Sequence, residues 1–364
     1  MKKIILLLLF CIFILSCETQ DYISESNELK EKLHNLIQDE ISPQIPGIQL
    51  SVKHPKYGII SVATGLANIA DNITLSTKHN LRIASATKLF TATLIMKLVE
   101  DNILMLDNTI EQLLDDIKFA TADKITVRNL LQHTSGFIGY FNDDTAFQNY
   151  VIENPYKIYE PKTLVEKALK LHVPEEAEIG VKFYYNNTNY VILGMIIEKY
   201  FQKSYQESVH DQIAEIINLN YTSSLNDLLE AENMAEGYIY LEDEPLLGNK
   251  YNHSFLFSSG NIVSRTSDLV KFIDSLMKNE ILTRESLIKM QSYITNDDGA
   301  LYGLGIAQFI DLGTGHNGLT LGYSSIIVYN EEHDLSIAVL MNALSGDTNP
   351  EAVARKALLI ITEK

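Results

Sequence analysis

Three serine–lysine pairs in this sequence have a spacing that could support nucleophilic catalysis. They are Ser85 with Lys88, Ser275 with Lys278, and Ser286 with Lys289. Residues three apart lie on the same face of a helix, so the lysine amine can reach the serine hydroxyl. A lysine in a water-poor cleft can lose its proton at neutral pH and then accept the proton of the serine. Each pair is therefore a candidate nucleophile with its own base.

The Ser85 pair is distinguished by its position at the predicted start of a helix. Free backbone N–H groups and the positive end of the helix dipole would there face an oxyanion that forms beside Ser85. The pairs at Ser275 and Ser286 are interpreted as ordinary helix surface. We predict Ser85 as the nucleophile, Lys88 as its base, and the Ser85 N–H as one oxyanion donor.

A second motif, Tyr-x-Asn, occurs in three registers. The candidates are Tyr140 with Asn142, Tyr184 with Asn186, and Tyr185 with Asn187. A phenol near a lysine can relay a proton, and an amide can both donate and accept toward a substrate carbonyl. The residues alone do not choose between these registers. The alternative interpretation is a loop rich in Tyr and Asn that caps the helix after it.

The third motif is the His-x-Gly formed by His316, Asn317 and Gly318. A glycine allows the backbone to approach a ligand closely, so the Leu319 N–H could become the second oxyanion donor. We predict His316 as a polar or cationic wall for an anionic substrate group, and Gly318 as part of the substrate site. Taken alone, a lone histidine is more often structural, and that is the alternative interpretation of His316.

The elements that must position these motifs follow from the apolar pattern of the chain. Helical spacing occurs at 27–40, 85–99, 162–171, 190–200, 266–278 and 350–362. Runs typical of strands occur at 47–54, 58–65, 324–330 and 335–342.

We predict an α/β (α+β) fold in which the N-terminal hairpin and the C-terminal strands form one antiparallel sheet, flanked by the terminal helices. The α/β lobe would comprise residues 29–110 and 260–364. The middle residues, 111–259, would form an inserted helical lobe, and a cleft would lie between the two lobes.

The N-terminus has the pattern of an export signal. Two lysines precede a run of twelve apolar residues, which is shorter than the ~20 that a spanning helix needs. The residues before Cys17 resemble a bacterial lipobox. We predict a signal peptide at 1–17, lipidation of Cys17, a tether at 18–28 and a catalytic domain at 29–364. The protein would then be exported to the cell envelope and held at the membrane only by its lipid anchor.

Composition excludes several classes of function. The formal charge is −18 and becomes −20 once Lys2 and Lys3 are removed with the signal peptide, so nucleic acid is not an expected partner. Both cysteines, Cys11 and Cys17, lie at the N-terminus, so the domain has no internal disulfide and no thiolate metal site. No cofactor or metal is predicted.

Taken in order, these motifs resemble the serine β-lactamase and penicillin-binding protein superfamily, especially its class C β-lactamase and D-alanyl-D-alanine carboxypeptidase branch. Residues 130–136 also resemble the His-Thr-Ser-Gly loop of that family, and 258–269 resemble a later loop and helix start. The resemblance implies a β-lactamase/transpeptidase-like fold. Its frame, Phe-x-Tyr-x-Asn-Thr-x-Tyr, selects Tyr185 as the proton relay and Asn187 as a substrate-binding amide, and it makes His133 structural.

The resemblance implies an acyl-enzyme on Ser85 and small peptide, β-lactam or ester substrates. Because lysine usually replaces His316 in efficient class C β-lactamases, we favour a D-alanyl-D-alanine carboxypeptidase-like peptidase acting on peptidoglycan peptides. A β-lactamase or esterase with the same site is the alternative. A non-hydrolytic penicillin-binding sensor is a third reading, which the intact Ser85, Lys88 and Tyr185 disfavour. The sequence does not predict the oligomeric state.

Overall fold

The computed structural model describes residues 23–224, 233–240, 245–295 and 299–363. The predicted signal peptide, Cys17 and the first part of the predicted tether lie outside these ranges. Helix α1 occupies residues 23–39, so it begins before Asn27 and includes residues that we predicted as tether. It is held by its apolar face, with Leu33 and Ile37 fully buried against the sheet.

A nine-stranded sheet forms the centre of the α/β lobe. Its order is β3-β2-β1-β14-β13-β12-β11-β10-β9, with antiparallel pairing throughout. The bounds are β1 Gly47–His54, β2 Gly58–Asn68, β3 Ile73–Thr74, β9 Ile294–Thr295, β10 Leu301–Tyr302, β11 Ala307–Phe309, β12 Gly313–Thr320, β13 Tyr323–Asn330 and β14 Leu335–Met341. The predicted joining of the N-terminal hairpin to the C-terminal strands is confirmed by the pairing of β1 with β14.

Both faces of the central strands are covered, which explains why β14 is apolar at every position except Ser336. Ile337 and Val339 pack with α1 and the C-terminal helix on one face, whereas Ala338 and Leu340 belong to the core on the other face. Alternation along a strand sends successive side chains to opposite faces, so a strand buried on both sides needs no polar residues.

The helices outside α1 divide between the two lobes. Their bounds are α2 Thr87–Glu100, α3 Ile110–Leu113, α4 Val127–Leu131, α5 Thr145–Glu153, α6 Pro161–Leu171, α7 Asn187–Phe201, α8 Tyr205–Val209, α9 Thr266–Met277, α10 Arg284–Met290 and α11 Pro350–Thr362. A π-helical turn, His210–Ala214, follows α8. The mixed fold class that we predicted is confirmed. No helix within the described ranges is both long enough and apolar enough to cross a membrane.

The middle of the chain is less purely helical than predicted. It contributes short strands to two further sheets, ordered β4-β8-β5 and β15-β6-β7. The bounds are β4 Leu81–Arg82, β5 Ser223–Ser224, β6 Tyr238–Ile239, β7 Leu246–Leu247, β8 Ile262–Ser264 and β15 Ala343–Leu344. Strand β5 pairs with β8, and β6 pairs with β15. Backbone hydrogen bonds therefore link the middle of the chain to residues near its C-terminal end.

Helix α2 begins two residues later than the sequence predicted. Ser85 lies in a separate 3-10 turn, Ala84–Ala86, and Ala84 adopts a left-handed φ of 51°. The cause is tertiary, because the backbone of Ile83 is bound on both sides: its N–H donates to Ile262 O at 3.0 Å and its carbonyl accepts from Ser325 Oγ at 2.6 Å. The chain must therefore turn sharply before α2, and this turn presents Ser85 to the cleft.

Candidate active site

A cleft of about 510 Å³ opens where the turn before α2, the start of α7 and strand β12 meet. Its wall includes most of the residues predicted to do chemistry, namely Ser85, Tyr185, Asn187, Gly318 and Leu319. These residues come from three distant segments of the chain. The structure therefore brings together the groups on which the sequence-based hypothesis depends.

Lys88 lies directly behind Ser85 and is fully buried. Its Nζ is 3.0 Å from Ser85 Oγ, 2.8 Å from Asn187 Oδ1 and 2.9 Å from the carbonyl oxygen of Ser259. All three partners are uncharged. The amine is thus held in position by the start of α7 and by the 3-10 turn Phe257–Ser259.

Burial lowers the pKa of Lys88 well below its usual value. None of its hydrogen-bond partners is a carboxylate that could stabilise the ammonium. The ring centroids of Tyr185 and Tyr190 lie 4.8 and 5.6 Å from Nζ, close enough to favour a cation weakly. The loss of hydration on full burial is the larger effect, so the geometry favours the neutral amine.

The structure separates the competing Tyr-x-Asn registers. Tyr184 is exposed and donates to Asp143 Oδ1 at 2.7 Å, while Asn186 caps α7 by accepting from Asn189 N at 3.0 Å. Tyr185, by contrast, lines the cleft together with Asn187.

In the third candidate pair, Tyr140 and Asn142 lie in different environments. Tyr140 is fully buried and donates to the Phe255 carbonyl at 2.5 Å, so its phenol is not available to a substrate. Asn142, by contrast, does line the cleft. The loop 140–142 thus supplies a wall of the cleft but not a proton relay.

The phenol of Tyr185 keeps its proton at neutral pH. Burial raises its pKa above the usual value, and a hydrogen bond with the Ser85 hydroxyl opposes this shift only in part. A neutral phenol beside the serine can donate a proton to a leaving group and can be recharged from Lys88.

Strand β12 passes unusually close to the Ser85 turn. A Cβ atom at Gly318 would lie 2.7 Å from Ser85 N and 2.5 Å from Ile83 O, so only glycine fits there. Strand β11 pairs with β12 only over 313–315, and the remainder of this edge contacts the Ser85 turn. Leu319 follows on the same edge at the cleft. Its role as the second oxyanion donor stays a prediction.

His316 does not form the cationic wall that we predicted. Its side chain is 2% exposed and does not line the cleft. Nδ1 lies 2.5 Å from the Asn317 carbonyl, which can only accept, so Nδ1 carries the proton and Nε2 accepts from the Tyr302 hydroxyl at 3.0 Å. Burial and the nearby Lys88 lower the pKa of His316 to about 3. The imidazole is therefore neutral and lies behind Tyr185.

His133 occupies the back of the site. Its ring lies 4.4 Å from the ring of Tyr185 and 5.1 Å from those of Tyr190 and Tyr302. Its Nδ1 accepts from the backbone N–H of Asn186 at 3.3 Å. These contacts are consistent with the structural role that the family resemblance implied, since they fix the loop that carries Tyr185.

Sequence reasoning missed two parts of the site. The carbonyl of Ser259 binds Lys88, although we had interpreted the surrounding Ser-Ser-Gly only as a family landmark. Tyr302, whose hydroxyl bonds His316 Nε2, carried no signal that we recognised. A backbone carbonyl has no side-chain signature, and a lone tyrosine is common, so neither could be selected from one sequence.

The other two serine–lysine pairs differ from our interpretation in burial. Ser275 and Ser286 are only 4% and 3% exposed, so they are not helix surface. Ser275 Oγ donates to Glu280 Oε2 at 2.6 Å. Lys278 and Lys289 form ion pairs with carboxylates. Neither serine lines the cleft.

One group within the described ranges has ligand atoms close enough to hold a metal ion, namely His210, Asp211 and Glu215. It does not line the cleft. The Asp211 carboxylate is already paired with His210 at 2.8 Å and with Lys203 at 2.5 Å.

This chain is similar to several known proteins. Penicillin-binding protein 4* of Bacillus subtilis (strain 168) is 27% identical over 314 residues, which cover 80% of this chain and 67% of that protein. The D-amino acid amidase of Ochrobactrum anthropi SV3, solved with D-phenylalanine, superposes with a TM-score of 0.79 at 22% identity, covering 92% of this chain and 99% of the amidase.

The D-stereospecific amidohydrolase of a Streptomyces species superposes with a TM-score of 0.75 at 25% identity, covering 90% of this chain and 97% of that one. A sequence profile of the family described as beta-lactamase matches residues 27–361, which is nearly the whole chain. This match confirms the resemblance inferred from the motifs. The chain belongs to the beta-lactamase family.

Proposed function

We propose that this protein hydrolyses amide bonds of D-amino-acid substrates through an acyl-enzyme on Ser85. The observation that carries the proposal is the surroundings of Lys88. The amine is fully buried, contacts the Ser85 hydroxyl and has no anionic hydrogen-bond partner. A base next to a nucleophile at the wall of a cleft is the arrangement that serine acylation requires.

A neutral Lys88 would have one hydrogen-bonding position left for Ser85. Asn187 Oδ1 and the Ser259 carbonyl are acceptors, so they would take both N–H groups of an uncharged amine. The lone pair would then face the Ser85 hydroxyl at 3.0 Å, to which an ammonium would donate instead. Asn187 and Ser259 thus hold the lone pair toward the proton that it must accept.

Acylation would proceed by attack of Ser85 Oγ on the substrate carbonyl carbon while its proton passes to Lys88 Nζ. The N–H groups of Ser85 and Leu319 would stabilise the oxyanion of the tetrahedral intermediate. Collapse of the intermediate breaks the amide C–N bond. The leaving nitrogen takes its proton from Tyr185, which is recharged from Lys88.

Deacylation would return the enzyme to its starting state. A water molecule attacks the ester carbonyl while it gives a proton to Lys88, and the C–O bond to Ser85 then breaks. Ser85 takes its proton back from Lys88, and the acyl group leaves as a carboxylic acid that ionises in solvent. Every proton is accounted for by Ser85, Lys88, Tyr185 and water.

The substrate class is supported by the relatives and by the predicted location. Two of the similar folds are named as enzymes that act on D-amino-acid amides or are D-stereospecific. A lipoprotein of the cell envelope, as the N-terminus predicts, would meet peptides that contain D-alanine. We therefore propose, as for the predicted carboxypeptidase, that a D-alanyl group is the acyl group transferred to Ser85.

The proposal is tested with D-alanine p-nitroanilide and its L-enantiomer. We expect release of p-nitroaniline from the D-enantiomer only, and acid quenching during turnover should leave one D-alanyl group on the peptide that carries Ser85. Mass spectrometry of the digested protein measures this adduct. A folded preparation that cleaves neither enantiomer and carries no adduct would overturn the proposal.

A non-hydrolytic binding protein is the competing class. It would bind the same compounds without turnover, or would remain acylated after one event. The contact between Ser85 and a buried Lys88 disfavours binding without acylation, which has no use for a dehydrated amine. A burst of one equivalent with no later turnover would favour it over a hydrolase.

A further inference from the structure

The charge of the cleft wall distinguishes between leaving groups. Among the described residues that line the cleft, the ionisable side chains are Tyr185 and Glu351, and no lysine, arginine or histidine is present. Glu351 lies in the first turn of α11. The charge that this wall offers to a ligand is therefore negative or zero.

Nearby bases do not direct a positive charge into the cleft. Arg355 binds Glu351 Oε1 through Nε at 3.0 Å and Nη2 at 2.7 Å, and its Nη1 donates to the Ile310 carbonyl at 2.7 Å. Lys88 is enclosed behind Ser85, and His316 is buried beneath β12. Each candidate cation is committed to protein partners.

The internal segments outside the described ranges contain no base in the sequence. Residues 225–232, 241–244 and 296–298 contain eight acidic residues and no lysine, arginine or histidine. They therefore have no cation to offer a ligand.

The remaining wall combines apolar side chains with neutral polar ones. Its hydrophobic side chains are Phe141, Leu256, Leu319, Leu321 and Leu344. Neutral donors such as Asn317 and Thr320 are also present, and these groups suit a carbonyl or a carboxamide. A cleft of about 510 Å³ with this lining is within the usual range for small-molecule sites.

We propose that this cleft accepts amide and ester substrates with apolar side chains and rejects substrates that carry a carboxylate next to the scissile bond. The inference rests on the proposed acyl-enzyme function and specifies its substrate class. A carboxylate that enters this site loses water without gaining a cationic partner, which is unfavourable. The protein is thereby an amidase, and neither the carboxypeptidase favoured by the sequence nor a β-lactamase, since terminal peptides and penicillins both carry that carboxylate.

The test compares two substrates that differ only in this group, D-alanyl-D-alanine and D-alanyl-D-alaninamide. We expect kcat/KM for the carboxamide to exceed that for the free acid by about 100-fold, the scale of a charged group left without its partner. Both reactions are followed by mass spectrometry of the released amino acid or amino acid amide.

A cation placed in the wall should reverse the preference. Asn317 is exposed on β12 and lines the cleft, so Asn317→Lys puts an ammonium beside the leaving group. We expect the ratio of amide to acid to fall by at least about tenfold. Asn317→Gln controls for side-chain size. Gln308→Lys, on the exposed part of β11 outside the cleft, controls for net charge and should leave the ratio unchanged.

The outcomes separate the two proposals. Equal rates on acid and amide by the wild-type protein would overturn the charge selection and leave the acyl-enzyme proposal intact. Failure to cleave either substrate, together with no acyl group on Ser85, would overturn both. An unchanged ratio in Asn317→Lys, with the folded state verified by circular dichroism, would also contradict selection by charge.

Discussion

The start of α2 and the end of α9 contain the same motif in opposite environments. At α2, Lys88 is fully buried, contacts Ser85 and has uncharged hydrogen-bond partners. At α9, Lys278 is partly exposed and pairs with Asp274 at 3.0 Å and Asp334 at 2.7 Å, so its pKa is raised. The partners of the lysine, and not its spacing from a serine, decide whether it can act as a base.

The serines differ in the same way. Ser85 is partly exposed at the cleft wall, whereas Ser275 is buried and donates to Glu280. A hydroxyl that must attack a substrate needs both access and a neighbouring base. Of these two pairs, only the one at α2 meets both conditions. The same substitution can therefore be made in each pair and the effects on activity compared.

Removal of the nucleophile should cause the largest loss of kcat/KM. Ser85→Ala should lower kcat/KM by about 10⁴-fold or more, because the covalent route is lost. Ser275→Ala and Ser286→Ala remove hydroxyls far from the cleft and should leave kcat/KM unchanged. Steady-state hydrolysis of D-alanine p-nitroanilide measures all three. Substantial turnover by Ser85→Ala would contradict the assignment.

Removal of the base should have the next largest effect. Lys88→Met keeps the length of the side chain and should reduce kcat/KM by about 10³-fold through loss of proton transfer. Lys278→Met should leave kcat/KM unchanged but lower the melting temperature, because it removes a partner of the buried Asp274 carboxylate. If instead Lys278→Met impaired catalysis as much as Lys88→Met, the contrast between the two pairs would fail.

Replacement of the proton relay should lower kcat/KM by a smaller factor. Tyr185→Phe removes the phenol beside Ser85 and should lower kcat/KM by about 100-fold. Tyr184→Phe is the matched control, since that phenol binds Asp143 at the surface and should be dispensable. Equal activity of the two variants would show that Tyr185 does not transfer a proton.

A smaller effect is expected in the pH dependence of stability. The unfolded chain binds a proton at Lys88 that the folded protein lacks, so the free energy of unfolding should rise with pH between the lowered pKa and the ordinary value near 10.4. The difference in this free energy between wild type and Lys88→Met should grow by about 1.4 kcal/mol per pH unit over that window.

The corresponding difference for Lys278→Met should not grow with pH below about 10. Its pKa is raised in the folded state, so its contribution is complete at neutral pH and is lost only above the ordinary lysine value. Urea denaturation at several pH values measures both pairs. A flat profile for the Lys88 comparison would mean that this amine is charged in the folded protein.

Local sequence patterns predicted several helices and strands, but not the tertiary contacts that shift their ends. Helix α11 has the predicted bounds because Asn349 caps it and Pro350 occupies its first turn. The α2 boundary was wrong because Ala84 is held in a left-handed conformation by bonds to distant strands. The positive φ of an alanine has no signature in local sequence.

The motif residues were predictable, and their ionisation was not. Lys88 binds Asn187 and Ser259, which lie 99 and 171 residues away in the chain. His316 is neutral because burial and the nearby Lys88 lower its pKa, although its place in the motif suggested a polar or cationic wall. Spacing identifies which residue types can meet, whereas burial, a property of the whole fold, sets their charge.

The most direct test of the central claim is the ionisation of Lys88 itself. In protein labelled with ¹³C at the lysine side chains, the Lys88 signal is assigned by its loss in Lys88→Met and is followed as a function of pH by NMR. We predict that this amine is neutral at pH 7 and titrates well below the ordinary lysine value, while Lys278 stays protonated throughout. A Lys88 signal that titrates together with the exposed lysines would contradict the account.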